Sequence, residues 1–303
     1  SSARGVAPSP SPTTAISSTP ALSAASRSAS SRGGTVRTIR APESVVTAPL
    51  PALACFVALV FASMAASAAD VRRDEARVLA AGDGRLLYRE THWTLPGPRP
   101  DRWVLYRCAD GAAFARKRVL AAPSPLAPDF ALEDARDGYR EGVRAAAGGR
   151  SVFVRAPGRA EATRVLAIPA DGVIDAGFDA AVRRHWPRLV RGEAVKLQFL
   201  VPSRKRFYPV QVQRVASVDW NGVPAERLRM RLDAWFGFAV PDVTLLYARD
   251  DQRLLEFAGT GNLRDGDGDH PQVRIVFERT PRTATAQELA DARSLPLAGR
   301  CRF

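Results

Sequence analysis

The residues of this chain that could do chemistry are few, and their spacing suits it poorly. Three histidines occur, His92, His185 and His270, and none stands at a separation that local metal sites or catalytic triads use. His185 lies beside Trp186 with no acidic or nucleophilic partner in the pattern, so packing or a polar boundary position is its reading. Asp265, Asp267 and Asp269 alternate in the run RDGDGDH, as the carboxylates at positions 1, 3 and 5 of a calcium loop do. The sixth position is then His270, where that loop needs glycine, and the twelfth is Val276, where it needs a bidentate glutamate. These three aspartates are the metal candidates of the chain, but a Gly/Asp-rich loop between two strands explains them more simply.

No glycine-rich phosphate loop follows a strand, and G-x-S-x-G, H-E-x-x-H and C-x-x-C are absent. With no nominated nucleophile, base or cofactor motif, the expectation is a non-enzymatic protein without a cofactor. A secreted hydrolase would have to draw two carboxylates from distant strands.

The segment with a specific message is Pro51 to Asp70, PALACFVALVFASMAASAAD. An apolar core from Leu53 to Phe61 is followed by small residues, and Ala66-Ser67-Ala68 fits the small-x-small pattern of signal-peptide cleavage. The core is too short for the roughly 20 residues of a membrane span. The expected organisation is therefore a low-complexity segment over residues 1–45, a signal peptide over 46–68, a β-sheet domain over 69–280 and a tail with a short helix over 281–303. Residues 1–45 are Ser, Ala, Pro, Thr and Arg with few large apolar groups, which predicts disorder and, with the first Met at position 64, a misplaced translation start.

Cleavage after Ala68 leaves 235 of the 303 residues, and losing five arginines and one glutamate takes the net charge from +13 to +9. That excess suits an anionic membrane surface or polymer, but the arginines are spread through strands and loops, which reads as a general compositional bias. Export argues against nucleic acid and predicts a periplasmic or secreted protein. Cys108 and Cys301 remain after cleavage. Two readings stand: an oxidising compartment lets them pair and stabilise the fold by roughly 4–5 kcal/mol in the chain-entropy model, or they are two thiols, one in a strand and one in a loose tail.

The elements that must position these residues are mostly strands. From Gly84 onward, short alternating segments are punctuated by Gly, Asp, Asn and Pro, the pattern of antiparallel strands joined by tight turns. Trp103 to Cys108 and Phe114 to Leu120 flank Asp110-Gly111, and Asn221-Gly222 is the strongest hairpin signal. One helix interrupts the strands. Phe178, Val182 and Trp186 form an i, i+4, i+8 stripe over Asp175 to Trp186, and Pro187 should end or kink it there. Thr285 and Glu288 have capping-box spacing for a short tail helix. The segment Trp235-Phe236-Gly237-Phe238 sets three aromatics within four residues, read either as the lip of a cavity or as a bend packed into the core around Gly237.

The predicted fold is mainly β: a single curved antiparallel sheet, a half-barrel-like meander, with one amphipathic helix packed on its concave face. Over roughly Gly84 to Glu278 this arrangement, with the export signal, resembles the half-barrel of periplasmic lipoprotein carriers and related uncharacterised envelope proteins. The resemblance is architectural and transfers no residue. It implies an exported envelope protein that binds a hydrophobic or amphipathic, lipid-like ligand inside the curved sheet, with Trp186, Phe199, Trp235, Phe236 and Phe238 as lining candidates. The alternative is a solidly packed interaction module that docks an envelope protein partner.

Overall fold

The computed structural model describes residues 70–98, 100–121, 124–233 and 241–303. The expected export signal, apart from Asp70, and the aromatic segment Trp235 to Phe238 lie outside these residues.

The chain enters in the middle of the sheet. Strands β1 (Val71–Ala80), β2 (Leu86–Thr94), β3 (Arg102–Cys108), β4 (Ala113–Leu120), β5 (Asp129–Asp134), β6 (Arg140–Ala146), β7 (Gly149–Arg155) and β8 (Ala162–Leu166) run outward as consecutive antiparallel neighbours. The chain then crosses to the other edge at β9 (Gly172–Val173) and passes through α1 (Gly177–Val190). It returns through β10 (Val195–Val201), β11 (Arg206–Trp220), β12 (Val223–Leu232), β13 (Val243–Ala248), β14 (Leu254–Thr260) and β15 (Gln272–Phe277). Strand β15 closes the path by pairing with β1, Ala76 opposite Phe277. Among the described residues every pairing is antiparallel except β9 with β10.

Only residues 167–171 separate the two edge strands β8 and β9, a stretch that reaches at most about 20 Å. The sheet must therefore bend back on itself, and its packing shows that it does. Phe130, Val143 and Val152 of β5–β7 share one buried cluster with Leu200 of β10, and Phe207 of β11 packs against it. The result is one large, strongly curved sheet whose edges do not pair, as the alternating sequence predicts.

Turn chemistry fixes the register locally. Asn221 and Gly222 both take positive φ, 53° and 81°, and Asp219 Oδ1 accepts the Gly222 N–H at 2.7 Å, so β11 and β12 meet in a two-residue turn. Gly177 opens α1 against the preceding wall: a Cβ there would stand 2.0 Å from the Leu126 carbonyl oxygen.

Helix α1 buries Phe178, Ala181, Val182, Trp186 and Leu189 on Val195, Leu197, Val210, Val212, Leu228, Leu245 and Tyr247. This defines the inner face of the sheet. Pro187 does not end the helix, which continues to Val190. The physical reason is placement: Pro187 is on the exposed side, where the Arg183 carbonyl it leaves unpaired can bind water, while buried Leu189 holds the last turn down.

The tail is stitched to the sheet. Strand β16 (Arg282–Ala284) pairs with β1, and α2 (Ala286–Ser294) sets Leu289 among Val71, Trp93 and Leu105 on the outer face. The Thr285 hydroxyl accepts the Glu288 N–H at 3.1 Å, whereas the Glu288 carboxylate reaches Trp93 Nε1 at 3.2 Å and Arg73 at 2.9 Å. The chain then passes to the inner face, where a disulfide joins Cys301 to Cys108 with Cα atoms 5.8 Å apart. Phe303 packs at 4.9 Å from Tyr88 and 5.9 Å from Phe114, under the Arg136 guanidinium at 4.5 Å. Among the described residues no helix is long and apolar enough to cross a membrane.

Candidate functional site

The inner face carries two apolar clusters, one under α1 and one under Phe303, with polar side chains between them. Asp175 turns the chain into α1 with φ of 46° and is held by Lys117 of β4 at 2.8 Å. Asp179, in the first turn of α1, accepts from Tyr247 at 2.8 Å and from Arg102 at 3.1 Å. Burial pushes the Asp179 carboxyl up, but the Arg102 and Arg183 charges and these hydrogen bonds outweigh it and hold the group below the usual carboxylate range. His92 and Glu90 of β2 pair at 2.8 Å, and Asn262 donates to Tyr106 at 3.1 Å. The Asp175 and Asp179 contacts bind the helix start to the sheet, and the Asn262 contact binds the 261–271 loop.

Glu141 of β6 has a strongly displaced carboxyl. It is 8 % exposed and accepts from the Tyr139 hydroxyl at 2.8 Å. Burial raises it to about 7, the Tyr139 hydrogen bond and Lys117 act downward, and Asp175 acts upward. Its ordinary value is 4.5, so the protonated form favours the fold. That contribution is complete below about pH 4.5 and is lost as the pH rises to about 7, a total of roughly 3 kcal/mol. Glu141→Gln keeps an acceptor for Tyr139 and removes the titration. Its stability relative to the parent is expected to grow by roughly 3 kcal/mol between pH 4.5 and pH 8, read by urea unfolding across that range. Parallel curves for the two proteins would refute the assignment.

The candidates read from the sequence fall in several places. Trp186 packs edge-on to Tyr247 at 6.5 Å, and Phe199 edge-on to Phe178 at 6.2 Å, so both join the core under α1. Trp235, Phe236 and Phe238 lie outside the described residues. His185 is half-buried, with burial and then Arg188 and Arg184 holding its imidazole below the usual range. Asp265 Oδ1 accepts the N–H groups of Asp267 at 3.0 Å and Asp269 at 2.9 Å, so this carboxylate closes its own loop. Among the described residues no three His, Cys, Asp or Glu side chains are grouped to hold a metal ion.

Open space lies on the outer face. A cleft of about 390 Å³ is lined by Arg73, Glu75, Arg77, Arg89, Arg107 and Arg279, with Trp220 and Val276 supplying apolar wall. That volume falls within the range of small-ligand sites. Three elements build it: the central strands β1–β3 form the floor, β15 and the residues after it one side, and the β11–β12 turn brings Trp220 and Asn221 over another. Trp220 is fixed there by its Nε1 donating to Glu256 at 3.2 Å and by packing with Leu246, Leu255 and Val276. None of the cleft residues was singled out from the sequence as a ligand contact, although Asn221 was read as part of a turn. The available signal was the arginine at every second position of Arg73 to Arg77, interrupted by Glu75, which places one charged row on one face once the segment is recognised as a strand.

No protein-family model and no curated protein matches the chain. Solved structures similar to it include a β-barrel-like protein carrying a domain of unknown function from Brucella abortus. It is 7 % identical over 70 % of this chain and 99 % of that one, with a TM-score of 0.46. They also include a domain provisionally described as an outer membrane lipoprotein-sorting protein from Vibrio parahaemolyticus, 10 % identical over 74 % of this chain and 88 % of that one, with a TM-score of 0.23. At these TM-scores they carry no argument, and the fold rests on the strand pairing described above.

Proposed function

We propose that this chain is an exported, non-enzymatic envelope protein that binds an amphipathic, lipid-like ligand, and that the ligand sits in the cleft on the outer face. The observation that carries the reading is the lining of that cleft, where Trp220 and Val276 meet a row of arginines. An apolar wall gains by covering a hydrocarbon segment while guanidinium groups hold a polar end, the division of labour typical of small-ligand sites. The inner face supports the same placement from the other side. There α1 and Phe303 already occupy the sheet, so Trp186 and Phe199 spend their apolar surface on the core. Export comes from the Pro51 to Asp70 pattern, and periplasmic location follows from it.

The test is organic extraction of the purified protein followed by mass spectrometry, with titration of the stripped protein by lysophosphatidylcholine and dodecanoate. A co-extracted amphiphile and a saturable change in tryptophan fluorescence are expected. Absence of both, for either probe, would leave the solid interaction module as the better reading.

A further inference from the structure

The cleft floor contains an arrangement that a sheet ordinarily avoids. Arg77 of β1 stands directly opposite Arg89 of β2, and Arg89 directly opposite Arg107 of β3. Residues so paired share one face about 5 Å apart, and like charges in that position destabilise a sheet. The flanking cations of this face are compensated: Arg73 pairs with Glu75 and with Glu288 at 2.9 Å, and Arg274 with Glu256 at 2.7 Å. The ladder is not. Among the described residues no carboxylate lies within 4.0 Å of Arg77, Arg89, Arg107 or Arg279, and Arg107 donates only to the Gly111 carbonyl of its own hairpin at 3.2 Å. The cleft carboxylates are engaged elsewhere, Glu75 with Arg73, Glu90 with His92 and Glu278 with Arg282. Burial, then the charge of Arg73, hold the Arg107 guanidinium below its usual range, with Glu75 acting upward.

We infer that the Arg77–Arg89–Arg107 ladder, with Arg279 on the rim, binds the anionic end of the ligand, and that this end carries at least two phosphoryl groups. The inference rests on the cleft being the ligand site. Three planar forks set in a row about 10 Å long outnumber what one anion needs, since a single phosphoryl group is held by one or two guanidinium groups through paired N–H···O bonds. Two adjacent phosphoryl groups match the row. Each would neutralise a repulsion already built into the sheet, so binding is favoured beyond the contacts themselves.

The shared chemistry could come from a lipid headgroup or from a soluble polyphosphate, and the probes separate them: inorganic pyrophosphate, vesicles containing cardiolipin, and vesicles of phosphatidylcholine alone. The variant Arg77→Gln/Arg89→Gln changes two exposed side chains and removes the repulsion, so it should fold at least as stably as the parent. In the parent, pyrophosphate is expected to raise the melting temperature and to bind with a steep salt dependence. The variant should lose about tenfold or more in pyrophosphate affinity and most of its binding to cardiolipin vesicles. Pyrophosphate binding without vesicle binding would assign the site to a soluble polyphosphate. Equal pyrophosphate affinity in parent and variant, or none in the parent, would overturn the inference. If lysophosphatidylcholine and dodecanoate still bound in that case, the amphiphile reading would survive it; if pyrophosphate bound and neither amphiphile did, the ladder would stand and the amphiphile reading would fall.

Discussion

Trp186→Ala is expected to lower the unfolding free energy by about 3–5 kcal/mol, the range for removing a buried Trp or Phe from a packed core. Trp186 is 9 % exposed and is the largest side chain that α1 presses onto the sheet, flanked by Val182 and Leu189 and facing Tyr247. The helix has no side-chain cap at its start and a proline inside it, so it depends on this tertiary packing more than on its own propensity. The cavity left behind borders Leu228 and Leu245, whose neighbours belong to strands and cannot collapse into it without breaking ladder hydrogen bonds. Thermal unfolding should show a drop of about 10 °C, given roughly 2–4 °C per kcal/mol for a domain of this size. His185→Ala, one residue earlier and half-buried, should change stability by less than about 0.5 kcal/mol. The comparison also tests where the ligand sits. A residue lining an open cavity would cost little stability and much binding, so a Trp186 variant that melts like the parent and loses amphiphile binding would return the site to the inner face.

Cys108→Ser/Cys301→Ser is expected to cost about 3–5 kcal/mol. The bridged cysteines are 193 residues apart, so the bond removes much of the freedom of the unfolded chain, close to the top of the usual disulfide range. A second contribution is local. Between α2 and the end of the chain the tail is anchored by the Ala298 N–H to the Ala113 carbonyl at 2.6 Å, by the disulfide and by Phe303. Loss of the bond should release Phe303 from Tyr88 and Phe114 and expose an aromatic surface. Melting curves with and without reductant, together with carboxypeptidase digestion, read both effects. The parent should lose roughly 10 °C on reduction and become open to digestion from its C-terminus. Identical melting under both conditions would show that the tail is held by packing alone.

The hairpins were legible because their signals are local. Asn221-Gly222 takes positive φ at both residues and Asp110-Gly111 at the glycine, and the alternation on either side needs no knowledge of partners. The helical stripe of Phe178, Val182 and Trp186 was equally plain, and the extension past Pro187 was not, because tolerance of a proline depends on which side of the helix meets water. Strand β1 escaped notice for a related reason. Half of its ten residues are charged, and Arg72 and Asp74 interrupt the inner-face row that ends in buried Ala76 and Val78. A strand so polar reads as an exposed connection, yet it is the centre of the sheet, pairing with β2, β15 and β16. Missing it hides the cleft as well, since Arg77 can be set beside Arg89 and Arg107 only when β1 is known to be a strand and its register is fixed.

By itself, then, the sequence determined most of the strands, the turns and the start of the helix of a mostly β protein, because alternation, turn dihedrals and helical spacing act over a few residues and are written in those residues. The tertiary structure decided what depends on distant partners. It decided that β15 returns to pair with β1, that the inner face is occupied by α1 and Phe303, and that Cys108 and Cys301 come within bonding distance. It also decided that three arginines spread through the sequence form one uncompensated row. The physical reason is that register between strands remote in the chain is set by the summed burial of whole faces, a quantity that no local pattern contains.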